Sequence, residues 1–266
     1  MTTAAGAPDL LATIVAAART AAAERERTCA IERLASAVVR GPGGDAFAAA
    51  LQTGPTPRII AECKRRSPSR GILRHDYDPA AHARAYAAAG AAAISVLTEP
   101  TFFDGALAHL AAVRAAVSTP LLRKDFIVTD YQVHEAAAGG ADAVLLIAAA
   151  LDLGELRRLR ELAASLGLAS LVEVHTAAEL EQALASGAEI IGVNSRNLKT
   201  LAVDLEVTAA LADAIPEDII AVAESGIRSP ADVERFAALG FDAFLVGEHL
   251  ITQPDPGAAL EALRTS

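Results

Sequence analysis

The sequence predicts an α/β protein, a (β/α)8 TIM barrel with an N-terminal helical extension. First, eight short apolar segments recur from residue 58 onward, and helical segments separate them. Second, these segments are apolar at consecutive positions, which is typical of parallel strands covered by helices. Third, the last two segments end in a glycine beside a polar side chain, in AESG at 223–226 and LVGE at 245–248. The loops after strands seven and eight commonly bind phosphate in such barrels, so this pair supports the predicted fold.

The predicted elements fall into two parts of a single domain. Residues 1–57 form a helical extension packed on the barrel, with a helix over 8–40 and a short helix around Asp45–Leu51. Segments rich in Gly and Pro flank that short helix and break the chain. Residues 58–266 are predicted to form the (β/α)8 barrel. Its strands are predicted at 58–64, 92–98, 120–125, 142–148, 169–175, 189–195, 219–225 and 242–248.

Two helix starts are marked clearly. Asp78-Pro79 and Ser229-Pro230 each place a capping side chain before a proline at the first helical position. The alternative architecture is an open doubly wound sheet, which would need edge strands with a more polar pattern. The sequence also contains no GxGxxG after a strand and no P-loop, so the common nucleotide-binding folds lose support.

The composition argues against several classes of partner. The 266 residues carry a formal net charge of −10, which argues against nucleic acid. No apolar run reaches the roughly 18 residues that a membrane span requires. The N-terminal LLATIVAAA segment has the length of a signal-peptide core, but Asp9 precedes it and no Lys or Arg does. Cys29 and Cys63 do not make a disulfide framework and are consistent with a cytoplasmic protein.

Polar side chains end several predicted strands. In this fold the chemistry lies at the carboxyl ends of the strands, on inward-pointing side chains. Alternation puts Glu62 and Lys64 on the inner face of strand one and Cys63 on the side of the helices. Strands three, five, six and seven end with Lys124, Glu173, Asn194, and Glu224 followed by Ser225. One such residue alone is more often a solvated loop residue. So many at one end favour a constellation that pairs or binds a ligand, because an unpaired buried charge is costly.

The loop after strand one supplies the positive charge that an anionic ligand would need. Within KRRSPSRGILRHDYD at 64–78, Lys64 and three arginines lie in the first seven residues. The length of the loop and its Ser-Pro-Ser-Arg-Gly content suit a lid over an anion, and Arg196 adds a further positive contact. For Arg65 and Arg66 the alternative of a solvated, mobile loop stays open.

The sequence predicts neither a metal site nor a cofactor. No Ser/His/Asp arrangement is evident, and nothing indicates a flavin or nicotinamide. The histidines are scattered without the spacing of metal ligands, at His75, His82, His109, His134, His175 and His249.

Six motifs together resemble the indole-3-glycerol phosphate synthase family. They are IIAECKRRSPSRG, LRKDFIV, LVEVH, GVNSRNL, VAESGI and FLVGE, and they span nearly the whole chain in the order of the family. AECKRRSPS with LRKDFIV is specific, whereas VAESGI and LVGE alone would indicate only a phosphate-binding barrel. The resemblance implies conversion of 1-(2-carboxyphenylamino)-1-deoxyribulose 5-phosphate to indole-3-glycerol phosphate, carbon dioxide and water, a step of tryptophan biosynthesis. It implies no cofactor, and we expect a monomer or weak homo-oligomer.

The resemblance also implies catalytic roles. Lys124 matches the general acid of the family, and Glu173 matches its catalytic carboxylate. Lys64 with Glu62 matches the adjacent pair. Which of Lys64 and Glu173 delivers the proton in the dehydration stays open. The residues that match orienting groups are Asn194 and Glu224.

Further positions match substrate contacts. The phosphate would lie against Lys64, Ser67, Gly226, Gly247 and the backbone N–H of Glu248. Because a carboxylate repels phosphate, we expect the Glu248 side chain to turn away. Ser225 matches an orienting position, and Arg196 matches a residue near the anthranilate carboxylate.

Three rival functions remain at this point. One is a Schiff-base aldolase that uses Lys124. Another is phosphoribosylanthranilate isomerase, which is expected to use a Cys/Asp pair, whereas Cys63 should face outward here. The third is a non-catalytic phosphosugar-binding barrel.

Overall fold

In the computed structural model, eight parallel strands close into a barrel. The structure describes residues 10–38, 41, 43–197 and 201–265. Each strand pairs with the next one along the chain, and the last pairs with the first through Arg58 and Ala243. The strands are β1 Arg58–Cys63, β2 Ala93–Leu97, β3 Leu121–Lys124, β4 Ala143–Ile147, β5 Ala169–Val174, β6 Ile190–Asn194, β7 Ile220–Glu224 and β8 Ala243–Val246. The predicted fold and all eight predicted strands are confirmed.

Helices alternate with the strands on the outside of the barrel. Asp78 caps its helix by accepting a hydrogen bond from the backbone of Ala81, and Ser229 caps its helix in a reciprocal capping box with Asp232, so both predicted helix starts are confirmed. The helices are α1 Leu10–Thr28, α2 Ile31–Ser36, α3 Gly44–Gln52, α4 Pro79–Ala88, α5 Leu107–Ala116, α6 Asp130–Ala138, α7 Leu153–Ser165, α8 Ala177–Ser186, α9 Leu205–Ala212, α10 Pro230–Ala238, α11 Glu248–Ile251 and α12 Pro256–Arg264.

The N-terminal part differs from the single helix predicted over 8–40. It contains two helices, α1 and α2, because Ala30 is extended, with φ −65° and ψ 156°, and interrupts the helical hydrogen bonds. Residues 8 and 9 and residues 39 and 40 of that prediction lie outside the described residues. The short helix predicted around Asp45–Leu51 is present as α3.

Helix α3 closes the amino end of the barrel. Phe47 and Leu51 are fully buried and belong to the same apolar cluster as inward-facing strand residues such as Ile190 and Ile220. Gly44 lets this helix approach closely, because a Cβ there would overlap the backbone of Gly167. The interior of the barrel is therefore sealed on the side opposite the carboxyl ends of the strands.

A second apolar cluster lies between the strands and the outer helices. Cys63 is buried in it together with Tyr86 and Val96, so the prediction that this thiol faces the helix layer is confirmed. Burial raises the pKa of the Cys63 thiol well above its ordinary value. Among the described helices, none has both the length and the apolar character needed to cross a membrane.

Candidate active site

A cavity of about 370 Å3 opens at the carboxyl ends of the strands. The twelve residues predicted from the sequence to form a site all line it. They are Glu62, Lys64, Ser67, Lys124, Glu173, Asn194, Arg196, Glu224, Ser225, Gly226, Gly247 and Glu248. The structure thus brings the predicted residues to one place, and their chemical roles stay predictions.

The ends of the strands supply the ionisable groups. Lys124, Asn194 and Glu224 are the last residues of β3, β6 and β7, and Glu173 is the last but one of β5. The register of β6 and β7 places Asn194 opposite Glu224. Because parallel strands end at the same edge, side chains that are distant in sequence meet over the barrel interior.

The Lys124 ammonium lies between two carboxylates. Its Nζ donates to Glu173 Oε2 at 3.0 Å and to Glu224 Oε2 at 2.9 Å. The Lys124 side chain is 15% exposed, and those of Glu173 and Glu224 are 4% and 1% exposed. Three ionisable groups therefore share a nearly dry site, where each strongly affects the protonation of the others.

Lys124 and Glu173 are held in their charged forms. Burial by itself lowers the pKa of Lys124, but Glu173, Glu224 and Glu62 together raise it above its ordinary value. Burial raises the pKa of Glu173, yet the Lys124 ammonium and the Asn194 side chain bring it below its ordinary value. The centre thus pairs a cationic donor with an anionic acceptor.

Glu224 differs from Glu173 although it contacts the same lysine. Burial and the negative charge of Glu173 raise the pKa of Glu224 to about 8, although the Lys124 ammonium acts in the opposite direction. Glu224 Oε1 is buried and has no hydrogen-bond partner among the described residues. A Cβ at Gly192 would overlap this oxygen, so the glycine makes room for it. Two carboxyl groups with separated pKa values are characteristic of acid–base sites.

A second lysine pair lies on β1 and just beyond it. Lys64 Nζ donates to Glu62 Oε1, and both side chains line the cavity. Here too a glycine is required, because a Cβ at Gly247 would overlap Glu62. The pair places a second ammonium near the first centre, and the carboxylate of Glu62 also acts on Lys124.

The β7 loop forms a tight turn at the cavity wall. Ser225 and Gly226 have φ values of 68° and 81° in succession. Successive turn residues of this kind create concave backbone surfaces that suit anions. Gly247 and Ser67 also line the cavity, and Ser67 is buried.

The Glu248 side chain, which we expected to turn away from the phosphate, forms ion pairs with two arginines. Its Oε1 accepts from Arg70 Nη1 at 2.7 Å, and its Oε2 lies 3.6 Å from Arg196 Nη2. Partial burial raises the pKa of Glu248, but the hydrogen bond from Arg70 and the charge of Arg196 bring it below its ordinary value. An ionised carboxylate therefore joins two arginines from different loops at the cavity.

The basic loop after β1 is more structured than a solvated loop. Arg66–Ser67 and Gly71–Ile72 pair as a small antiparallel hairpin. Arg65 forms an ion pair with Asp104 in the loop after β2, whereas Arg66 is exposed. The alternative of a free, solvated side chain therefore does not apply to Arg65.

An apolar wall of the cavity was not predicted from the sequence. Leu10, Leu11 and Ile14 of helix α1 reach it from the N-terminal extension, and Phe103 and Phe126 approach each other with ring centroids 6.1 Å apart. Phe126 follows the Lys124-Asp125 pair directly, so its position in LRKDFIV was a usable signal. The sequence does not predict that α1 lines the cavity, because an alanine-rich helix gives no indication of where its apolar face packs.

One of the histidines makes a local contact with the backbone. His175 Nδ1 lies 2.7 Å from the carbonyl oxygen of Asn194, a bond that helps to hold the end of β6. The part of the chain that the structure describes contains no cluster of three or more His, Cys, Asp or Glu residues arranged to hold a metal ion.

The fold and the site define a class of protein, the TIM-barrel enzymes, whose chemistry lies on side chains at the carboxyl ends of the strands. Two solved structures with this chain's fold are thiamine phosphate pyrophosphorylase from Pyrococcus furiosus and KGPDC from Streptococcus mutans. The first has a TM-score of 0.60 and 20% identity, and the match covers 78% of this chain and 93% of that one. The second has a TM-score of 0.61 and 13% identity, covering 78% and 95%. Likeness at these identities concerns the fold alone.

Sequence comparison gives the family. The model for indole-3-glycerol phosphate synthase matches residues 11–263, and the chain belongs to this family. The indole-3-glycerol phosphate synthase of Micrococcus luteus is 52% identical over 246 residues, covering 91% of this chain and 92% of that protein. The one from a Nocardioides species is 53% identical over 251 residues, covering 94% and 96%. The family comprises carboxy-lyases of tryptophan biosynthesis.

Proposed function

We propose that this chain converts 1-(2-carboxyphenylamino)-1-deoxyribulose 5-phosphate to indole-3-glycerol phosphate, carbon dioxide and water. The observation that carries the proposal is the Lys124 ammonium held between Glu173 and Glu224 in a cavity bordered by cationic loops. Family membership supports the same reaction.

Ring closure is the step assigned to Lys124. The aromatic carbon that bears the carboxylate attacks the ribulose carbonyl carbon, and negative charge develops on the carbonyl oxygen. A protonated lysine stabilises that charge and supplies the proton. Because the charge of Glu173 and the hydrogen bond to Glu224 keep Lys124 in its charged form, it enters the reaction as a donor.

Loss of carbon dioxide then restores the aromatic ring. The bond from the ring carbon to the carboxylate breaks, and its electron pair returns to the ring. The apolar wall with Phe103 and Phe126 supports this assignment, because it would hold the aromatic ring in a poorly solvated place. Arg196 is proposed as the partner of the carboxylate before it leaves.

Dehydration completes the indole. A proton leaves the carbon next to the ring nitrogen, and the hydroxyl on the neighbouring carbon leaves as water after protonation. Glu173, ionised beside Lys124, suits the acceptor role, and Lys64 beside Glu62 is an available donor. Asn194 and Glu224 are proposed to orient these groups.

The substrate phosphate is proposed to bind at the wall formed by Ser67, Gly226, Gly247 and the backbone of Glu248, with Lys64 as its charged partner. The consecutive left-handed residues before and at Gly226 support this site. Ser225 is proposed to orient a substrate hydroxyl.

The extension and the barrel are proposed to act as one domain, with residues 1–57 covering a barrel of residues 58–266. Helix α1 contributes to the cavity wall and α3 closes the opposite end, which supports this division. We also propose that the protein works in the cytoplasm, where the free Cys29 and Cys63 would stay reduced.

Two substitutions test the catalytic roles. Lys124→Met and Glu173→Gln should each lower kcat by about 10²–10⁴-fold, the range for a lost acid or base. Formation of indole-3-glycerol phosphate is followed by its fluorescence, and circular dichroism checks the fold. Glu181→Gln, an exposed carboxylate of α8, is the matched control for Glu173→Gln. Near-normal turnover in either active-site variant would refute the assigned role.

Borohydride trapping separates this reaction from that of a Schiff-base aldolase. A covalent adduct between Lys124 and substrate would contradict the acid–base assignment. The outward position of Cys63, buried between strand and helices, already disfavours a Cys/Asp mechanism of the isomerase type.

A further inference from the structure

Cations at three places in the cavity wall are paired with carboxylates of the protein itself. Lys124 pairs with Glu173 and Glu224, and Lys64 pairs with Glu62. At the third place, Arg70 and Arg196 both pair with the carboxylate of Glu248. An anionic substrate therefore meets positive groups that are already engaged at all three places.

The Glu248 cluster is the one that a substrate can most readily rearrange. The side chains of Arg70 and Arg196 are 60% and 25% exposed, and that of Glu248 is 22% exposed, whereas the carboxylates at Lys124 are almost fully buried. Ion pairs with this exposure contribute little to stability, so exchanging one anion for another costs little. Arginine also pairs readily with phosphate oxygens, in the same geometry that it uses for carboxylate.

The two arginines come from separate parts of the chain. Arg70 lies in the turn of the hairpin after β1, and Arg196 follows β6. Arg196 Nη1 also lies 3.5 Å from Ser69 Oγ, beside Arg70 in the hairpin. Glu248, directly after Gly247 of the proposed phosphate wall, thus connects both loops at the place where the phosphate would bind.

We propose that Glu248 is an affinity-setting residue, an internal anion that occupies Arg70 and Arg196 until the substrate displaces it, with the phosphate taking its place at Arg70 and the substrate carboxylate engaging Arg196. The inference rests on the proposed phosphate site. The carboxylate holds the two loops together in the empty enzyme, and its competition with phosphate weakens the binding of every phosphorylated ligand. A phosphate ester, which carries up to two charges, displaces it better than a singly charged carboxylate would.

The test is inhibition by inorganic phosphate. In Glu248→Gln the two guanidinium groups lose their internal anion, so the competitive Ki for phosphate should fall about threefold to tenfold, the range of an exposed ion pair or a charge-assisted hydrogen bond. Initial rates are measured against substrate at constant ionic strength. Glu248→Ser, which also removes the charge, should change Ki in the same direction.

Two controls make the result specific. Glu206→Gln removes an exposed carboxylate that is ion-paired with Arg235 away from the cavity, and it should leave Ki unchanged. Adding Arg70→Met and Arg196→Met to Glu248→Gln should abolish the gain, because the freed arginines cause it.

The outcomes distinguish a failure of the role of Glu248 from a failure of the proposed phosphate site. If phosphate competes with substrate in the unmodified enzyme but Ki stays the same or rises in both Glu248 variants, Glu248 is not a competitor and the phosphate site stands. If phosphate shows no competition in the unmodified enzyme, the proposed phosphate site is wrong and the role of Glu248 is overturned with it.

Discussion

At the scale of residues, the environment rather than the residue type distinguishes Glu173 from Glu224. Both accept a hydrogen bond from Lys124, yet the pKa of Glu173 lies below its ordinary value and that of Glu224 rises to about 8. Glu173 also interacts with Asn194, whereas one oxygen of Glu224 has no partner among the described residues. A single ammonium in a dry site therefore stabilises only one full negative charge beside it.

This asymmetry predicts how stability depends on pH. Glu224 has a raised pKa in the folded protein, so its neutral form is favoured there, while the unfolded chain ionises near the ordinary value of 4.5. Protonated Glu224 stabilises the folded state fully below pH 4.5. This stabilisation is lost as the pH rises through about 8. Glu224→Gln cannot lose a proton, so the unmodified protein should become progressively less stable than this variant across that window.

Urea unfolding of both proteins at a series of pH values from 4.5 to 9 checks the prediction. The quantity of interest is the difference between the two unfolding free energies at each pH, which cancels the titration of all other groups. A difference that does not change with pH would show that Glu224 titrates normally.

The residues of the site were largely predictable, but their pairing was not. Lys124 and Glu173 could be found because inward-facing residues at strand ends follow from alternation and from the fold. The ion pairs of Glu248, the first residue of α11, join it to residues 70 and 196 of two loops. Such contacts depend on how the loops fold back over the barrel, and no periodic pattern in the sequence records that.

At the scale of elements, β3 carries charge on both of its faces. Lys124 points into the cavity, while the preceding Arg123 is fully buried on the helix side. Arg123 Nη2 donates to Asp125 Oδ2 at 2.9 Å, and its Nη1 donates to the Gln132 carbonyl oxygen at 2.6 Å. Both of its Nη atoms also lie 3.4 Å from Glu135 of helix α6.

The same carboxylate ties the N-terminal helix to the barrel. Glu135 accepts from Arg25 of α1 through both oxygens, at 2.5 and 2.9 Å. A buried glutamate thus joins the strand that carries Lys124 to the helix that contributes to the cavity wall. This arrangement makes Glu135 a residue on which two elements depend.

The network predicts unequal losses of stability. Glu135→Gln leaves the buried Arg123 with less compensation and should lower the unfolding free energy by about 3–5 kcal/mol. Arg25→Met removes only the partly exposed partner and should cost about 1 kcal/mol or less. Urea unfolding at pH 7 measures both, and equal small losses would show that the network contributes little to stability.

The elements were predictable to different degrees. Eight strands are present as predicted because continuous apolar runs are a strong local signal, although each observed strand stops one or two residues before its predicted end. The interruption at Ala30 was missed because neither glycine nor proline marks it. The hairpin around residues 66–72 was missed because strands of two residues have no periodicity to detect.

At the scale of the whole molecule, the two ends of the barrel have different tasks. The carboxyl end carries the ionisable groups, and the amino end is filled by Phe47 and Leu51 of α3, both fully buried. The residues that serve the chemistry and the residues that fill the core at the amino end therefore lie in separate regions of this chain.

Truncation of Phe47 tests this separation. Phe47→Ala should lower the unfolding free energy by about 3–5 kcal/mol, because it leaves a cavity in the barrel interior. Turnover measured well below the melting temperature should stay close to that of the unmodified enzyme, because the change lies at the far end from Lys124. A large fall in kcat with little loss of stability would contradict this division.

Gly192 and Gly247 contribute no functional group, yet the carboxyl oxygens of Glu224 and Glu62 occupy the space that a methyl group at either position would fill. Transplanting the ionisable residues onto another barrel scaffold would therefore fail unless these two bare backbone positions were carried along. In a mutational scan, alanine at either of them would resemble an active-site lesion in a well-folded protein, although neither residue needs to touch the substrate.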